Sequence, residues 1–483
     1  MVYIINVSLC ASHDKKEWMS RSIYQIITDR FENPDYNKEK CDLRSDFCGG
    51  TFKGIISKLD YIKNMGFDAI WISPPMGGDE NAYHGYHNVD LYKTNGHFGT
   101  EDELKELVSE CHKKDIWVIL DVVPNHMKTL PKEDYHKFVP FDKWEYFHHI
   151  NCINYDDNNP YYVENCEVWG LPDLDQNNTY VKEELIKWLK DTINKYDFDA
   201  VKYSDARNVP KWFWRNYSDE AKTYTFGIID KSDLDGAKYI ADYLNYMDGI
   251  GDYPLYYHIR ESFCSGNMRN LNDYIVLSND IFNDDTKEFD SKYNVIFLGN
   301  HDKQRFLYEC KNKTCFRNSI VFIFFYPGIP IFYYGDEQDL DEGGDWGDDG
   351  RLLLFGKHNS ESNTYKLISK VNEIRKEYKT YSKVLVRRYV DNDFYAFTKG
   401  EVLVIVGNGK SKEITIKNLE FLDGDKYCNL LGAGDCVIIK ESQIITKMEG
   451  EPKVFVKDSS YNAASGILCS SLKYLFYFIL LLV

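Results

Sequence analysis

The chain has 483 residues, a formal charge of −18 and a pI near 5.2, enough length for one large domain with smaller ones attached. The acidic balance argues against nucleic acid as a partner, because that affinity comes largely from lysine and arginine neutralising phosphates. Aromatic residues are plentiful, with 38 Tyr, 28 Phe and 9 Trp; they serve packed cores more often than sugar-stacking surfaces.

In chain order, residues 2–11 form a short apolar run followed by small residues, as in a signal peptide, and residues 1–17 are expected as a leader. From about residue 20 to 380, strands and helices alternate. "SIYQIITDRF" reads as a strand and "GIISKLDYIKNMG" as a helix. "FDAIWISPP" is a strand, "TEDELKELVSECHKKD" a helix opened by Thr100, and "IWVILDVVPNH" a buried strand. After a loop-rich excursion over 127–176 come "VKEELIKWLKDTINKY" as helix, "FDAVKYS" and "TYTFGII" as strands, then "VIFLGN", "GIPIFYYGDE" and the helix "TYKLISKVNEIRKEY". Near-continuous apolar strands alternating with amphipathic helices imply a parallel sheet buried on both faces. At this length the natural closure is a (β/α)8 TIM barrel, over 18–126 and 177–380, with 127–176 as a small inserted domain after the third strand. The short strands "KVLVRRYV", "FYAFTKG", "EVLVIVGNG" and "KEITIKNL" mark a C-terminal antiparallel β-sandwich domain over 381–457.

Twelve cysteines with no CxxC spacing include the close pairs Cys41/Cys48, Cys152/Cys166, Cys310/Cys315 and Cys428/Cys436. Such pairs fit disulfides in an oxidising compartment, and Cys111 fits a buried helical thiol. Sequons at Asn177, Asn216 and Asn312 are compatible with secretion. Residues 458–483 place the small residues Asn462-Ala463-Ala464 before a spacer and the apolar tail Tyr474–Val483. That tail falls short of the roughly 20 residues a spanning helix needs, and the order of features is that of a GPI-anchor signal. A surface protein held to the membrane by a C-terminal lipid, and otherwise monomeric, is expected.

In a barrel, reactive side chains sit at the C-terminal ends of strands. Four such ends are polar: "DVVPNH" (Asp121–His126), "FDAVKYSDARNVP" (Phe198–Pro210), "TFGIID" (Thr225–Asp230) and "GNHDKQRF" (Gly299–Phe306). Together with "CGGTFKGIISKLDYIKNMGFDAIWISP", "AYHGYHNVDLY", "VENC", "LPDLD" and "MDGIGDYPLYY", in that family's order, the chain resembles the α-amylase family of glycoside hydrolases, specifically the secreted fungal type. The resemblance runs from about Trp18 to the start of the C-terminal domain and implies hydrolysis of α-1,4-glucans with retention. That chemistry needs two carboxylates roughly 5–5.5 Å apart, one to form a glycosyl intermediate and one to shuttle a proton.

On the family's pattern the nucleophile position is Ser204, the acid/base position is Ile228, and the third carboxylate persists as Asp302. The family's Arg-x-Asp becomes Lys202-Tyr203-Ser204, and lysine cannot reproduce the bidentate fork of arginine. Isoleucine donates no proton, and a general acid typically contributes about 10²–10⁴-fold. Asp205, one residue along, should face away on a strand, and Asp199 lies roughly 16 Å back. Ser204 has no adjacent base by sequence, which leaves Asp230, two residues past Ile228, as the candidate replacement acid. The sugar-contacting frame is better kept. Tyr86 matches a stacking tyrosine, although the tryptophan expected next is His87; His126 and His301 match the two transition-state histidines, and Arg351 a subsite arginine. The resemblance also implies a structural Ca²⁺ held by Asn125, Glu164, Asp173 and the carbonyl of Asn208, as a hard cation prefers oxygen ligands, and implies the Cys41/Cys48 and Cys152/Cys166 bridges. The function expected is α-glucan recognition (starch, glycogen or maltooligosaccharide) with hydrolysis lost. The alternatives are an active enzyme with relocated carboxylates and a non-catalytic interaction protein.

Overall fold

The computed structural model describes residues 13–35, 41–78, 82–150, 152–154, 159–284, 289–343, 347–432 and 434–459. The apolar run 2–11 and the tail 474–483 lie outside them. No helix of the described residues is long and apolar enough to cross a membrane.

The strands in chain order are β1 (Ile23–Ile26), β2 (Ala69–Ile72), β3 (Trp117–Val122), the short β4 (Ile153–Asn154) and β5 (Glu167–Val168), β6 (Ala200–Tyr203), β7 (Tyr224–Ile228), β8 (Gly249–Gly251), β9 (Val295–Phe297) and β10 (Ile329–Tyr333). Eight of these close a parallel barrel in the order β1-β10-β9-β8-β7-β6-β3-β2. Closure is read directly from Ile23, which pairs with Ala69 on one side and Ile331 on the other. Alternate residues point inward, so Ile23, Trp71, Trp117, Ile119, Ala200, Tyr224, Phe226, Phe297 and Ile331 fill the barrel while Tyr24, Ile70, Val118, Val201 and Tyr203 pack outward under the helices. The same parity brings Asp121, Lys202 and Ser204 to the interior face at the strands' C-terminal ends.

β8 escapes sequence reading because it is three residues long with a glycine at each end. A side chain at Gly249 would collide with the Tyr224 hydroxyl and the Tyr293 carbonyl, at 2.3 and 2.4 Å from the Cβ position. The barrel buys its large interior aromatics with small residues on the neighbouring strand.

The leader boundary expected at residue 17 falls inside a folded element. A helix over Lys15–Trp18 is opened by a capping box between Asp14 and Glu17. Its Trp18 is fully buried against Trp117 and Tyr224, with His13 stacked on Trp117 at 3.7 Å. The fold includes the chain from His13 onward because these rings plug the barrel's lower end.

The inserted segment leaves and rejoins the barrel side by side, through bonds from the Leu174 amide to the Asn125 carbonyl and from the Met127 amide to the Pro172 carbonyl. The C-terminal unit has eight strands where four are evident in sequence: β11 (Leu385–Val390), β12 (Phe394–Lys399), β13 (Val402–Gly407), β14 (Ser411–Ile416), β15 (Lys426–Asn429), β16 (Cys436–Ile438), β17 (Ile444–Glu449) and β18 (Lys453–Lys457). They form a six-stranded sheet and the β14-β17 pair around a separate apolar core that includes Phe394, Leu403, Ile414, Ile444 and Phe455. Asn318, from the helix Lys313–Phe325, ties this unit to the barrel by accepting from the Gly407 amide and donating to the Gly450 carbonyl.

Disulfides join Cys41–Cys48, Cys152–Cys166 and Cys428–Cys436, and Cys111 is a buried thiol. The close pair Cys310/Cys315 is not bridged. Cys310 ends the helix Phe306–Cys310 and bonds Cys264; Cys315 turns into the core from the next helix, its thiol 3.2 Å from the Asn408 carbonyl. Non-reducing peptide mapping should therefore join Cys264 to Cys310 and find Cys315 reduced. Replacing Cys264 and Cys310 together by serine should lower unfolding stability by about 2–4 kcal/mol, read by urea titration.

Candidate active site

The C-terminal mouth of the barrel opens into a cleft of about 650 Å³. Tyr86, His126, Lys202, Ser204, Ile228, His301, Asp302 and Arg351 all line it, and Asn208 reaches its wall. The strand ends inferred from the sequence thus meet in one place.

At the floor lies Asp121, a residue whose role the sequence does not announce. Its Oδ1 accepts from the Ser204 hydroxyl at 2.9 Å. Its Oδ2 accepts from Trp71 Nε1 at 2.9 Å, the Tyr86 hydroxyl at 2.8 Å and Lys202 Nζ at 3.3 Å. Burial raises the Asp121 carboxyl above its ordinary range, with Lys202 the strongest force pulling it back. The Lys202 ammonium also donates to Ser204 Oγ at 2.6 Å and lies over the Trp71 and Tyr86 rings, 5.0 and 5.4 Å from their centroids. Ser204 therefore has a lysine beside it that sequence spacing alone did not single out. Its hydroxyl is engaged on both sides, accepting a hydrogen bond from Lys202 and donating one to Asp121.

Ile228 continues the inward parity of β7 after Tyr224 and Phe226 and is half-buried against the barrel's apolar interior. A Cβ on Gly251 would come within 3.1 Å of its Cγ1 and 3.3 Å of Phe297, so glycine makes room for it. The position that the resemblance assigns to the acid/base is filled by hydrocarbon that packs.

Asp302 stands at the mouth with its side chain 55% exposed. Its cleft position works against ionisation, but His301, Arg351, Lys202 and Lys303 outweigh that and hold the carboxyl below its ordinary range. Arg351 Nη2 and His301 Nε2 each lie 3.4 Å from Asp302 Oδ1, and Arg351 Nε donates to the His301 carbonyl at 2.8 Å. His301 accepts from Gln25 at Nδ1, 2.7 Å away, which leaves its Nε2 proton facing Asp302. Burial pushes His301 down to about 3, so it is the neutral tautomer.

One carboxylate behaves differently from expectation. Asp205 does not face away: β6 ends at Tyr203, and Asp205 turns at φ 51° to line the cleft with Oδ2 3.6 Å from His126 Nδ1. A strand-parity argument fails here because the strand has already stopped. Asp230 also lines the cleft, where it pairs with Lys303 Nζ at 2.5 Å and accepts from the Tyr257 hydroxyl at 2.8 Å. Asp199 is structural: it accepts from the Val118 amide at 2.7 Å and meets His112 at 2.9 Å.

On the side of the inserted segment, Asn125, Asp173 and Asn208 are buried together. Asn125 Oδ1 lies 3.0 Å from the Asn208 carbonyl oxygen and 3.2 Å from Asp173 Oδ1. Asn208 Nδ2 donates to the Val163 carbonyl, which brings the helix carrying Glu164 alongside. Burial raises both carboxyls, Asp173 up to about 7 against the pull of His148.

Replacing Lys202 by methionine should cost about 3–5 kcal/mol in urea denaturation, because Asp121 is left buried without its cation. Ser204→Ala should cost only about 1 kcal/mol. An unpaired buried carboxyl favours its protonated form, so the Lys202→Met deficit should be smaller at pH 5 than at pH 8.

Comparison with known proteins identifies the family of the chain. The family described as "Alpha amylase, catalytic domain" matches residues 25–383. An alpha-amylase of Saccharomycopsis fibuligera is 33% identical over 91% of this chain and 92% of its own, and alpha-amylase 1 of Schwanniomyces occidentalis 34% identical over 94% and 93%. A beta/alpha-amylase of Paenibacillus polymyxa is 36% identical, and this chain spans 38% of that longer protein. Among solved structures, an alpha-amylase from Malbranchea cinnamomea superposes with TM-score 0.84 at 30% identity, covering 92% of this chain and 97% of that one. An alpha-amylase from Geobacillus thermoleovorans, complexed with acarbose, gives 0.80 at 30% identity, covering 92% and 99%. A closed eight-stranded barrel, a C-terminal β unit and this run of relatives place the chain in the alpha-amylase family of glycoside hydrolases.

Proposed function

We propose that the protein recognises α-1,4-glucans in this cleft and has lost all or nearly all of their hydrolysis. The observation that carries the reading is the pair of replacements at the reacting centre. Ser204 is locked between Lys202 and Asp121, and Ile228 is packed into the barrel's apolar interior. Neither supplies the nucleophile or the proton shuttle that a retaining mechanism requires. Tyr86, His126, His301, Arg351 and Asp302 line the same cleft, which supports their role as a frame for a bound sugar. Purified protein with starch or maltooligosaccharides should bind them and release no new reducing ends at amylase rates; ordinary amylase turnover would overturn the reading. Restoring the carboxylates together, as Lys202→Arg, Ser204→Asp and Ile228→Glu, should raise turnover by about 10²-fold or more.

A second reading, turnover through relocated carboxylates, has one observation behind it: Asp205 lines the cleft beside His126. If any hydrolysis is measured, its survival in both Asp205→Asn and Asp230→Asn removes that reading.

Calcium fits the buried oxygens. His126 Nε2 meets the Tyr86 carbonyl at 3.1 Å and must carry the proton there. Its Nδ1 is then an acceptor, met by Asn125 Nδ2 at 3.4 Å, since burial disfavours a charged imidazole. With its Nδ2 on that acceptor, Asn125 Oδ1 faces the Asn208 carbonyl and Asp173, a gathering of acceptors that a hard cation reconciles, whereas a turned amide would donate to both. Turning the amide over would set its oxygen against Nδ1. Asn125, Asp173 and the Asn208 carbonyl would hold the ion, with Glu164 from the adjoining helix, and the ion's role is to pin the inserted segment to the barrel. Chelation should lower the melting temperature, and calcium at about a hundredfold excess over Kd should restore about 3 kcal/mol; Asp173→Ala should abolish that response.

The location we propose is outside the cell, at its surface. The four disulfides among the described residues support an oxidising compartment, and the sequence of the tail supports a lipid anchor.

A further inference from the structure

We propose that Trp169 is an aromatic platform for the cleft, receiving the apolar face of a pyranose ring of a neutral glucan. This rests on the glucan-binding reading above and names a residue for it that the strand-end motifs do not contain.

Trp169 belongs to the inserted segment and lines the cleft, with two-thirds of its surface exposed, 66%. It stands at the tip of a two-residue turn. The Leu171 amide donates to the Val168 carbonyl at 3.0 Å, and both residues between are left-handed, Trp169 at φ 56° and Gly170 at φ 80°. Glycine, asparagine and aspartate serve such turns at no steric cost. A bulky aromatic at positive φ is an outlier, and outliers of this kind gather at binding and catalytic sites.

The turn is held from below. β5 pairs with β4, the Cys152–Cys166 disulfide closes the same ladder, and the Thr129 hydroxyl donates to the Gly170 carbonyl at 2.7 Å. A large indole is thus presented to the cleft from a fixed base, the arrangement that lets a ring stack with little loss of conformational freedom.

Trp169 differs from the other large aromatics of the cleft in its exposure. Tyr86 stacks on His301, 5.0 Å between centroids and 3° from parallel, and spends its hydroxyl on Asp121. Tyr253 is buried. Beside Tyr86, where the resemblance leads one to expect tryptophan, stands His87. The broad apolar ring exposed in the cleft is therefore the one the inserted segment presents. Hexopyranose rings carry a C–H face that such an indole covers, while their hydroxyls remain free for the polar rim.

The test uses the whole calcium-loaded protein titrated with maltohexaose by calorimetry and by tryptophan fluorescence. The variants are Trp169→Phe, which keeps a ring, and Trp169→Asn, which suits the left-handed turn and keeps the fold. Trp169→Asn should weaken binding about tenfold or more with an unchanged melting temperature, and Trp169→Phe should lie between it and the parent. The ligand-induced fluorescence change should vanish in both. Binding by Trp169→Asn equal to the parent overturns the platform and leaves glucan recognition standing. A parent protein that binds no maltohexaose overturns glucan recognition, and the platform with it. Equal losses in both variants together with a lowered melting temperature also overturn the platform, making Trp169 a structural residue of the turn.

Discussion

A carboxylate buried at the floor of a barrel has to be answered by a cation, and in this protein that demand falls on Lys202. Asp121 is held by four donors, of which one carries a full charge. Removing water from an ion costs several kcal/mol even after relaxation, so the Asp121–Lys202 pair and its hydrogen bonds constrain everything set around them. Trp71 and Tyr86 are oriented by the same oxygen, Tyr86 in turn stacks on His301, and His301 faces Asp302. The cleft is organised outward from one buried pair.

On the proposed reading, the same pair accounts for an altered reacting centre in an intact fold. In the family's pattern an arginine forks between acidic partners at this place, and its bidentate geometry has a purpose only when there are two anions to bridge. With serine at position 204, a single anion remains at the floor, and a point charge on a flexible stem is sufficient. Ser204 then closes the circuit as a neutral link. Lys202 and Ser204 thus suit one another, since a neutral hydroxyl beside one carboxylate calls for a point charge and no fork.

Much of this was legible in the sequence, where local pattern and tertiary constraint agree. The barrel followed from alternation of apolar strands and amphipathic helices, and the cleft residues from the motifs at strand ends. What was hidden has physical reasons. β8 carries no hydrophobic signal because its glycines exist to clear Tyr224 and Ile228 on β7. Asp205 was placed on the wrong face because parity holds only while a strand continues, and β6 stops two residues earlier. Cys310 pairs with Cys264 because helices bring distant thiols together while turning near neighbours apart. Asp121 and Lys202 are acidic and basic residues some eighty positions apart, and only the β3–β6 pairing, which sets Asp121 opposite Lys202, makes them partners.

On the same reading, Ile228 makes a carboxylate at its position hard to introduce alone. A glutamate there would leave a carboxylate against Phe297 and the backbone of Gly251, at the end of an interior face lined by Tyr224 and Phe226. Desolvation would hold that acid protonated, which suits a proton donor but only when a nucleophile is ready to take the developing charge. A nucleophile restored at position 204 without the acid would face Asp121 across a single lysine, two anions competing for one cation. Each half of the machinery is unfavourable in the absence of the other. On the proposed reading, the frame around the cleft and the residues at its centre are thus a self-consistent state, one that a single substitution does not leave.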